Sequence, residues 1–300
     1  MTSILKSFIA LYVSMFLLAM SLGLLATVLS LKLTIEGFST QMTGLILTSY
    51  FIGSVIGAIY CRPMIRNVGH IRAFTAFAAL ATAMIMLHGF YISALAWAVF
   101  RFFTGIATIG LFMVIESWFN ECAQPQTRGR VFSIYMVMCY LGGSVGQQLL
   151  NIGDIKDQTL FFVIGFLLVS CIIPIALTRS IHPEMPKTEP VKLKIILKKA
   201  PLGILGCFTA GLTNSAFYTM GPVFCHQTNL SVSQISYFMA ITVLGGLLFQ
   251  WPLGLFSDRF DRSKVIPVLG GVFAVVSALM IVASQSQFWV FMAATAMFGG

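Results

Sequence analysis

Residues 8–31 read Phe8-Ile-Ala-Leu-Tyr-Val-Ser-Met-Phe-Leu-Leu-Ala-Met-Ser-Leu-Gly-Leu-Leu-Ala-Thr-Val-Leu-Ser-Leu31, without one charged side chain. As a helix this stretch is about 36 Å long, enough to cross a hydrocarbon core of about 30 Å. The pattern then recurs. Apolar stretches cover 41–61, 72–91, 93–115, 131–152, 160–178, 201–224, 235–257 and 265–284, and another opens near Gln287. These runs are continuous, which excludes a β-barrel, whose strands alternate over roughly ten residues. The whole chain shares the character: 58% of its 300 residues are apolar and 9% charged, against roughly 25% charged in soluble domains. Mean hydropathy is +0.93. A secreted disulfide scaffold, a cytosolic enzyme and a nucleic-acid binder are excluded, and an all-α polytopic membrane protein is expected. The first stretch follows Lys6 as a signal peptide would, but it is too long and lacks a small-x-small cleavage site. It reads as a retained helix.

The net charge of +9 reports orientation rather than an anionic partner. With the N-terminus placed in the cytoplasm, 15 of the 18 Lys and Arg residues fall inside, including Arg62, Arg66, Arg72, Arg128, Arg130, Arg179, Arg259, Arg262 and Lys264. Only Lys32 and Lys156 fall outside, and Arg101 lies within a span. That bias satisfies the positive-inside rule. The six cysteines show no C-x-x-C spacing and read as small hydrophobes rather than metal or redox ligands. No cofactor and no metal are expected.

One composition break interrupts the apolar runs. Residues 179–200 hold three prolines and six basic residues, and should be cytoplasmic. Val191–Ala200 could lie on anionic headgroups as a short amphipathic helix; a topology-setting basic linker is the plainer reading. A shift of 192 residues aligns the two sides of this linker without a gap. Gly37-Phe38-Ser39 falls on Asn229-Leu230-Ser231, Gly53 on Gly245, Arg72 on Lys264 and Trp97 on Trp289. Span boundaries and loops coincide, so the organisation expected is a six-helix half over 1–178, the linker over 179–200 and an incomplete second half over 201–300. Parallel halves of this kind are the internal repeat of a transporter. A full second copy would run to about residue 370, so the chain is expected either to be cropped or to lack its last helices.

Between the last two full stretches lies Gly254-Leu-Phe-Ser-Asp258-Arg259-Phe-Asp261-Arg262-Ser-Lys264. It resembles the G-x-x-x-D-R-x-G-R-x-K cytoplasmic loop of the major facilitator superfamily of secondary transporters, with Asp261 where glycine is usual. The corresponding loop in the first half, Arg62-Pro-Met-Ile-Arg66-Asn-Val-Gly69-His70-Ile-Arg72, keeps the glycine and the basic residues but puts Arg66 at the acidic position. Arg101-Phe-Phe-Thr104-Gly105 resembles the family's R-x-x-x-G motif in the fourth helix, and Gly142-Gly143-Ser-Val-Gly146-Gln147-Gln148 its glycine-rich fifth helix, with Gln147 in place of proline. Close helix packing through small-xxx-small contacts explains Gly142 and Gly146 equally well. Glu116-Ser-Trp118-Phe-Asn120-Glu121, Thr127-Arg128-Gly129-Arg130 and Gln250-Trp251-Pro252 are similar to segments of the bacterial YcaD-type branch. The resemblance covers essentially the whole chain.

Arg101 is the one Lys, Arg, Asp or Glu well inside a span. A charge at that depth is costly and should face a cavity or a partner. It is a candidate for binding an anionic substrate group or for coupling, against a structural role bonding helix carbonyls or snorkelling. Thr104 and Thr108 extend its face. Thr213, Asn214, Phe217 and Tyr218 form i, i+4 pairs suited to a cavity wall, and the resemblance places Asn214 and Tyr218 there; interhelical hydrogen bonding is the alternative. Gln148, Gln250 and Trp251 are weaker candidates. For the cytoplasmic gate the resemblance implicates Asp258, Arg259, Arg262, Lys264, Gly69 and Arg72, and the pseudo-symmetry of the halves brings the Asp258 loop to Arg128 and Arg130, with Asp258 expected to pair with one of them. No intramembrane acid to carry a proton is found; Glu116 could titrate if partly buried, and His88 and His226 read as solvated turns.

These features imply a secondary active transporter that moves a small molecule across the bacterial inner membrane by alternating access, with or without a coupling proton or sodium ion. It would be monomeric at full length, with its N-terminus cytoplasmic. A non-transporting membrane sensor or scaffold on the same fold is the alternative. An H-E-x-x-H and a Walker loop are absent from the sequence, so enzyme and ATP-driven pump are not expected.

Overall fold

The computed structural model describes the backbone of residues 2–178, 199–260, 262–284 and 288–299, and side chains from residue 8 onward except at 251, 254–259, 262–264 and 266. Among these residues there are helices and no strand. The first set comprises α1 (Thr2–Ile35), α2 (Thr40–Val68), α3 (His70–Phe90), α4 (Ala94–Cys122) and α5 (Arg128–Gln148), then α6 (Thr159–Ser170) continued after Cys171 by α7 (Ile172–Ala176). The second comprises α8 (Pro201–Gln227), α9 (Val232–Arg259), α10 (Arg262–Ala283) and α11 (Phe288–Gly299). Apart from Lys199 and Ala200, the expected linker lies outside the described residues.

Six of these elements are long and apolar enough to cross a membrane: Phe8–Ile35, Thr40–Val68, His70–Phe90, Ala94–Cys122, Thr159–Ala176 and Val232–Gln250. The stretches at 131–152 and 201–224 form α5 and α8, which carry more Ser, Gln, Thr, Asn and Gly. The apolar part of α10, Pro267–Ala283, is shorter. Large apolar side chains such as Leu45, Ile59, Leu95, Phe166 and Leu248 point outward, as they do where lipid is the solvent and the helices satisfy their own backbone.

In the first set α1 packs on α5 and α6, α4 packs on α2 and α3, and α3 also packs on α6; in the second, α9 packs on α11 and α10 on α11. The sets meet where α5 lies against α9, and α8 against α1 and α2. The repeat read from the sequence is reproduced in the turns. Gly37 and Asn229 both adopt positive φ, 81° and 61°. The next residue in each case bonds back across the helix end, Phe38 N to Leu33 O and Leu230 N to Cys225 O. Ser39 then caps α2 by accepting from Met42 N. Ser231 caps α9 by accepting from Gln234 N, while Ser231 N donates to Gln234 Oε1, a reciprocal capping box. Trp97 and Trp289 do not correspond in environment: Trp97 is buried and donates to Tyr91 O, whereas Trp289 is exposed.

His88 departs from its expected place in a solvated turn. Helix α3 continues through it, and the ring is buried among Trp97, Phe100 and Phe161 with Nδ1 on Met84 O at 2.7 Å. The turn falls instead at residues 91–93.

Candidate functional site

The site begins with two close helix crossings. A Cβ at Gly105 would overlap the Tyr50 carbonyl, and one at Gly53 would overlap that of Phe102. Only glycine lets α2 and α4 approach so closely. Gly245, the repeat partner of Gly53, meets the Ala296 carbonyl on α11 in the same way. The α2–α4 contact sets Tyr50 beneath Arg101, whose guanidinium carbon lies 4.4 Å from the ring centroid. Arg101 is 7% exposed, its Nε has no hydrogen-bond partner, and no carboxylate among the described residues comes within ion-pair distance. It neither snorkels nor bonds a helix carbonyl. A cation over an aromatic face gains about 0.5–2 kcal/mol, while burying it in the membrane costs at least 2.5–3.5 kcal/mol, so a substantial part of its desolvation stays uncompensated.

The second crossing joins α1 to α5. Gly142 and Gly146 approach the carbonyls of Phe16 and Met20, and Gly23 approaches Gly143, which is the packing role read for the fifth-helix glycines. The crossing is closed by Gln147, fully buried, whose Oε1 accepts from Thr27 Oγ1 at 2.7 Å and whose Nε2 donates to Gly23 O at 2.8 Å. Ser236 of α9 donates to the Gln147 carbonyl at 2.8 Å.

Between the two sets lies a cavity of about 810 Å³, lined by α1, α2, α4, α5, α8 and α9. Its wall is largely apolar, with Leu47, Phe51, Val55, Phe112, Phe208 and Leu212 interspersed with Tyr50, Gln147, Asn214 and Tyr218. At the end holding the α1–α2 and α8–α9 turns the sets are tied together. Asn151 receives a bond from Ser233 at 2.6 Å and donates to Ser236 at 3.2 Å, Ser144 bonds Ala240 O, and Gln227 reaches Thr40 at 3.4 Å. At the opposite end, where the linker attaches, residues 201–212 of α8 are mostly exposed. No hydrogen bond joins the sets there among the described residues. Among the described residues, hydrogen bonds tie the two sets at the end holding the α1–α2 and α8–α9 turns.

Arg101, Asn214 and Tyr218 line the cavity as expected, and the structure brings them together. Thr104 and Thr108 are buried beside them in α4, with Thr104 bonded to Phe100 O. Phe217 stacks on Phe238 and Phe298 instead. Thr213 is tied to its own helix at Thr209 O. Gln148 and Gln250 are not in the wall: one position earlier in α5, Gln147 occupies it, and Gln250 is exposed. Tyr50 was missed because one tyrosine in an apolar helix carries no signal until the Gly53–Gly105 crossing is known. Cys207 is also in the wall and exposed, unlike the buried Cys61, Cys171 and Cys225.

At the linker end Gly69 takes φ 85° and terminates α2 through a bond from its N–H to Ile65 O, a conformation that favours glycine. Arg72, Arg128 and Arg130 are exposed, and Arg128 Nη2 donates to Asn120 O at 2.7 Å. The side chains of Asp258, Arg259, Arg262 and Lys264 lie outside the described residues, as does the expected pairing of Asp258. Glu116 is exposed and accepts from Tyr135 at 2.8 Å. Among the described residues no three His, Cys, Asp or Glu side chains gather as metal ligands.

Comparison with known proteins agrees with this architecture. The chain is 28% identical over 276 residues to the MFS-type transporter YcaD of Escherichia coli O17:K52:H18, covering 90% of this chain and 71% of that protein. The D323A mutant of the nucleoside transporter NupG superposes with a TM-score of 0.81 at 13% identity, over 97% of this chain and 78% of that one. A bacterial homolog of the human lysosomal transporter Spinster, inward-facing and unoccupied, superposes with a TM-score of 0.74 at 15% identity, over 97% and 72%. Residues 11–300 match the profile of the Major Facilitator Superfamily. Helix order, the repeated turns and this match agree: the chain is a multi-pass membrane transporter of the Major Facilitator Superfamily, its second half incomplete in the sequence given.

Proposed function

We propose that the protein is a secondary active transporter that carries a small molecule across the bacterial inner membrane by alternating access, the two helix sets rocking about the cavity. The observation that carries this reading is the cavity itself, lying between two helix sets that the Asn151–Ser233–Ser236 and Gln227–Thr40 contacts tie at one end. Those few neutral hydrogen bonds each contribute about 0.6 kcal/mol in a membrane setting, weak enough to break and re-form in a transport cycle. Arg101, Tyr50, Asn214 and Tyr218 would meet the cargo, and Asp258 with Arg128 or Arg130 would latch the linker end in the opposite state.

The cation bias supports a cytoplasmic linker end and N-terminus. Arg62, Arg66, Arg72, Arg128 and Arg130 gather at the linker end, while Lys32 and Lys156 meet at the other.

Spin labels on a cysteine-replaced background test the cycle. One pair, at Gln41 and Gln227, reports the tied end; a second, at Ser133 and Gly203, reports the linker end. A transporter should populate two states in which one distance lengthens as the other shortens. A single distance at both ends would favour the sensor or scaffold alternative.

A further inference from the structure

Among the described residues, the wall of the cavity carries one cation and no anion: Arg101 is its single charged residue. That side chain is more than nine-tenths buried, its Nε is unpartnered, and the described residues bring no carboxylate to it. The guanidinium carbon lies over the Tyr50 ring, 4.4 Å from its centroid. The guanidinium N–H groups form the rigid fork that receives a planar oxyanion in bidentate fashion. The surroundings are apolar, with Leu47, Phe51 and Val55 on α2, Phe112 on α4, and Phe208 and Leu212 on α8. A ligand that satisfies both needs a charged oxyanion head and a hydrophobic body. A lipophilic cation would instead place a second positive charge in a low-dielectric space without a carboxylate to receive it.

We infer that the cavity accepts amphipathic organic anions, with a carboxylate or sulfonate head on Arg101 above Tyr50 and the apolar body against Phe51, Phe112 and Phe208, and that it rejects cations of the same shape. The inference rests on the transport reading for the passage of the ligand, but its charge selectivity can be measured separately.

Cys207 stands exposed in the same wall and reports the local potential. The full chain in nanodiscs is treated with sulfonatoethyl or trimethylammonioethyl methanethiosulfonate, and labelling of Cys207 is followed by peptide mass. Each rate is divided by that reagent's rate with a small free thiol. The anionic reagent should be favoured about tenfold; Arg101→Gln should bring the ratio near unity, and Arg101→Lys should keep it. In a second measurement the neutral methyl methanethiosulfonate labels Cys207 with naphthalene-2-sulfonate or a naphthyl trimethylammonium salt present. The sulfonate should slow labelling and the ammonium salt should not. Equal normalised rates, a preference that survives Arg101→Gln, or protection by the ammonium salt would overturn the inference and leave the cavity standing. If none of the reagents reaches Cys207, access to the cavity fails, and the transport reading with it. Should Arg101→Gln not accumulate in the membrane, the protection measurement on the unaltered chain decides alone.

Discussion

Gly105→Ala adds one methyl group where α4 crosses α2, and its cost follows from the geometry. Besides overlapping the Tyr50 carbonyl oxygen, the new Cβ would stand 2.9 Å from Tyr50 C and 3.0 Å from Ser54 N. Both atoms belong to helical backbone and cannot turn aside, so α2 must retreat on the order of 1 Å to restore ordinary contact. Gly53 on Phe102 and Gly57 on Ile106 belong to the same crossing and loosen with it. Overpacking of this kind costs about 1–3 kcal/mol, offset by about 0.5–1 kcal/mol from replacing a helix-interior glycine. The net loss is centred near 1 kcal/mol within a range of about 0–2.5 kcal/mol, equivalent at its centre to a fall in apparent Tm of roughly 2–4 °C for a chain of this size. The assay is thermal unfolding in dodecyl maltoside, with Gly129→Ala as the control, since a Cβ at Gly129 meets nothing within 4 Å. The control should be neutral or slightly stabilising. Because Tyr50 rides on α2, Gly105→Ala should also reduce the charge selectivity of Cys207 labelling without abolishing labelling. A Gly105→Ala protein with unchanged Tm would refute the argument that this glycine serves close approach. A lowered Tm with unaltered selectivity would separate the crossing from the placement of Arg101.

Other predictions follow from hydrogen bonds. A double-mutant cycle of Thr27→Val and Gln147→Leu, read by unfolding free energy, should give a coupling of about 0.6–1.7 kcal/mol; a coupling indistinguishable from zero would mean the 2.7 Å bond between them adds nothing. Asn151→Ala removes the bonds to Ser233 and Ser236 and should shift the balance away from the linker-open state by about 1 kcal/mol. Labelling of Cys207 would slow accordingly, and a faster rate would contradict the proposed alternation. For the proposed latch, Asp258→Arg should impair alternation between the two spin-label states, and adding Arg128→Asp or Arg130→Asp should restore it. Rescue by neither partner would remove the pair from the mechanism.

Some of this was legible in the chain. The turn residues Gly37, Ser39, Asn229 and Ser231 matched at one offset, and their backbone angles and caps match in space, because turn chemistry is local. Arg101 stood out because a charge inside an apolar run is anomalous wherever the helix packs. Gln147, not the candidate Gln148, lines the cavity because adjacent residues on a helix differ by about 100° in direction, and sequence alone gives no zero for that angle. Burial of Gln147 between Thr27 and Gly23 sets it.

Legible in the residues alone are the membrane-spanning character of the helices and the likeness of the α1–α2 and α8–α9 turns. Each of these depends on solvent partitioning and short-range backbone chemistry. Packing in three dimensions is what sets Tyr50 under Arg101, turns Phe217 into a packing residue, buries His88 in an aromatic cluster and ties the two helix sets at the end holding the α1–α2 and α8–α9 turns. Those outcomes depend on the rotation of each helix about its axis and on the approach of residues far apart in the chain. Both were set by where glycine allowed one backbone to touch another.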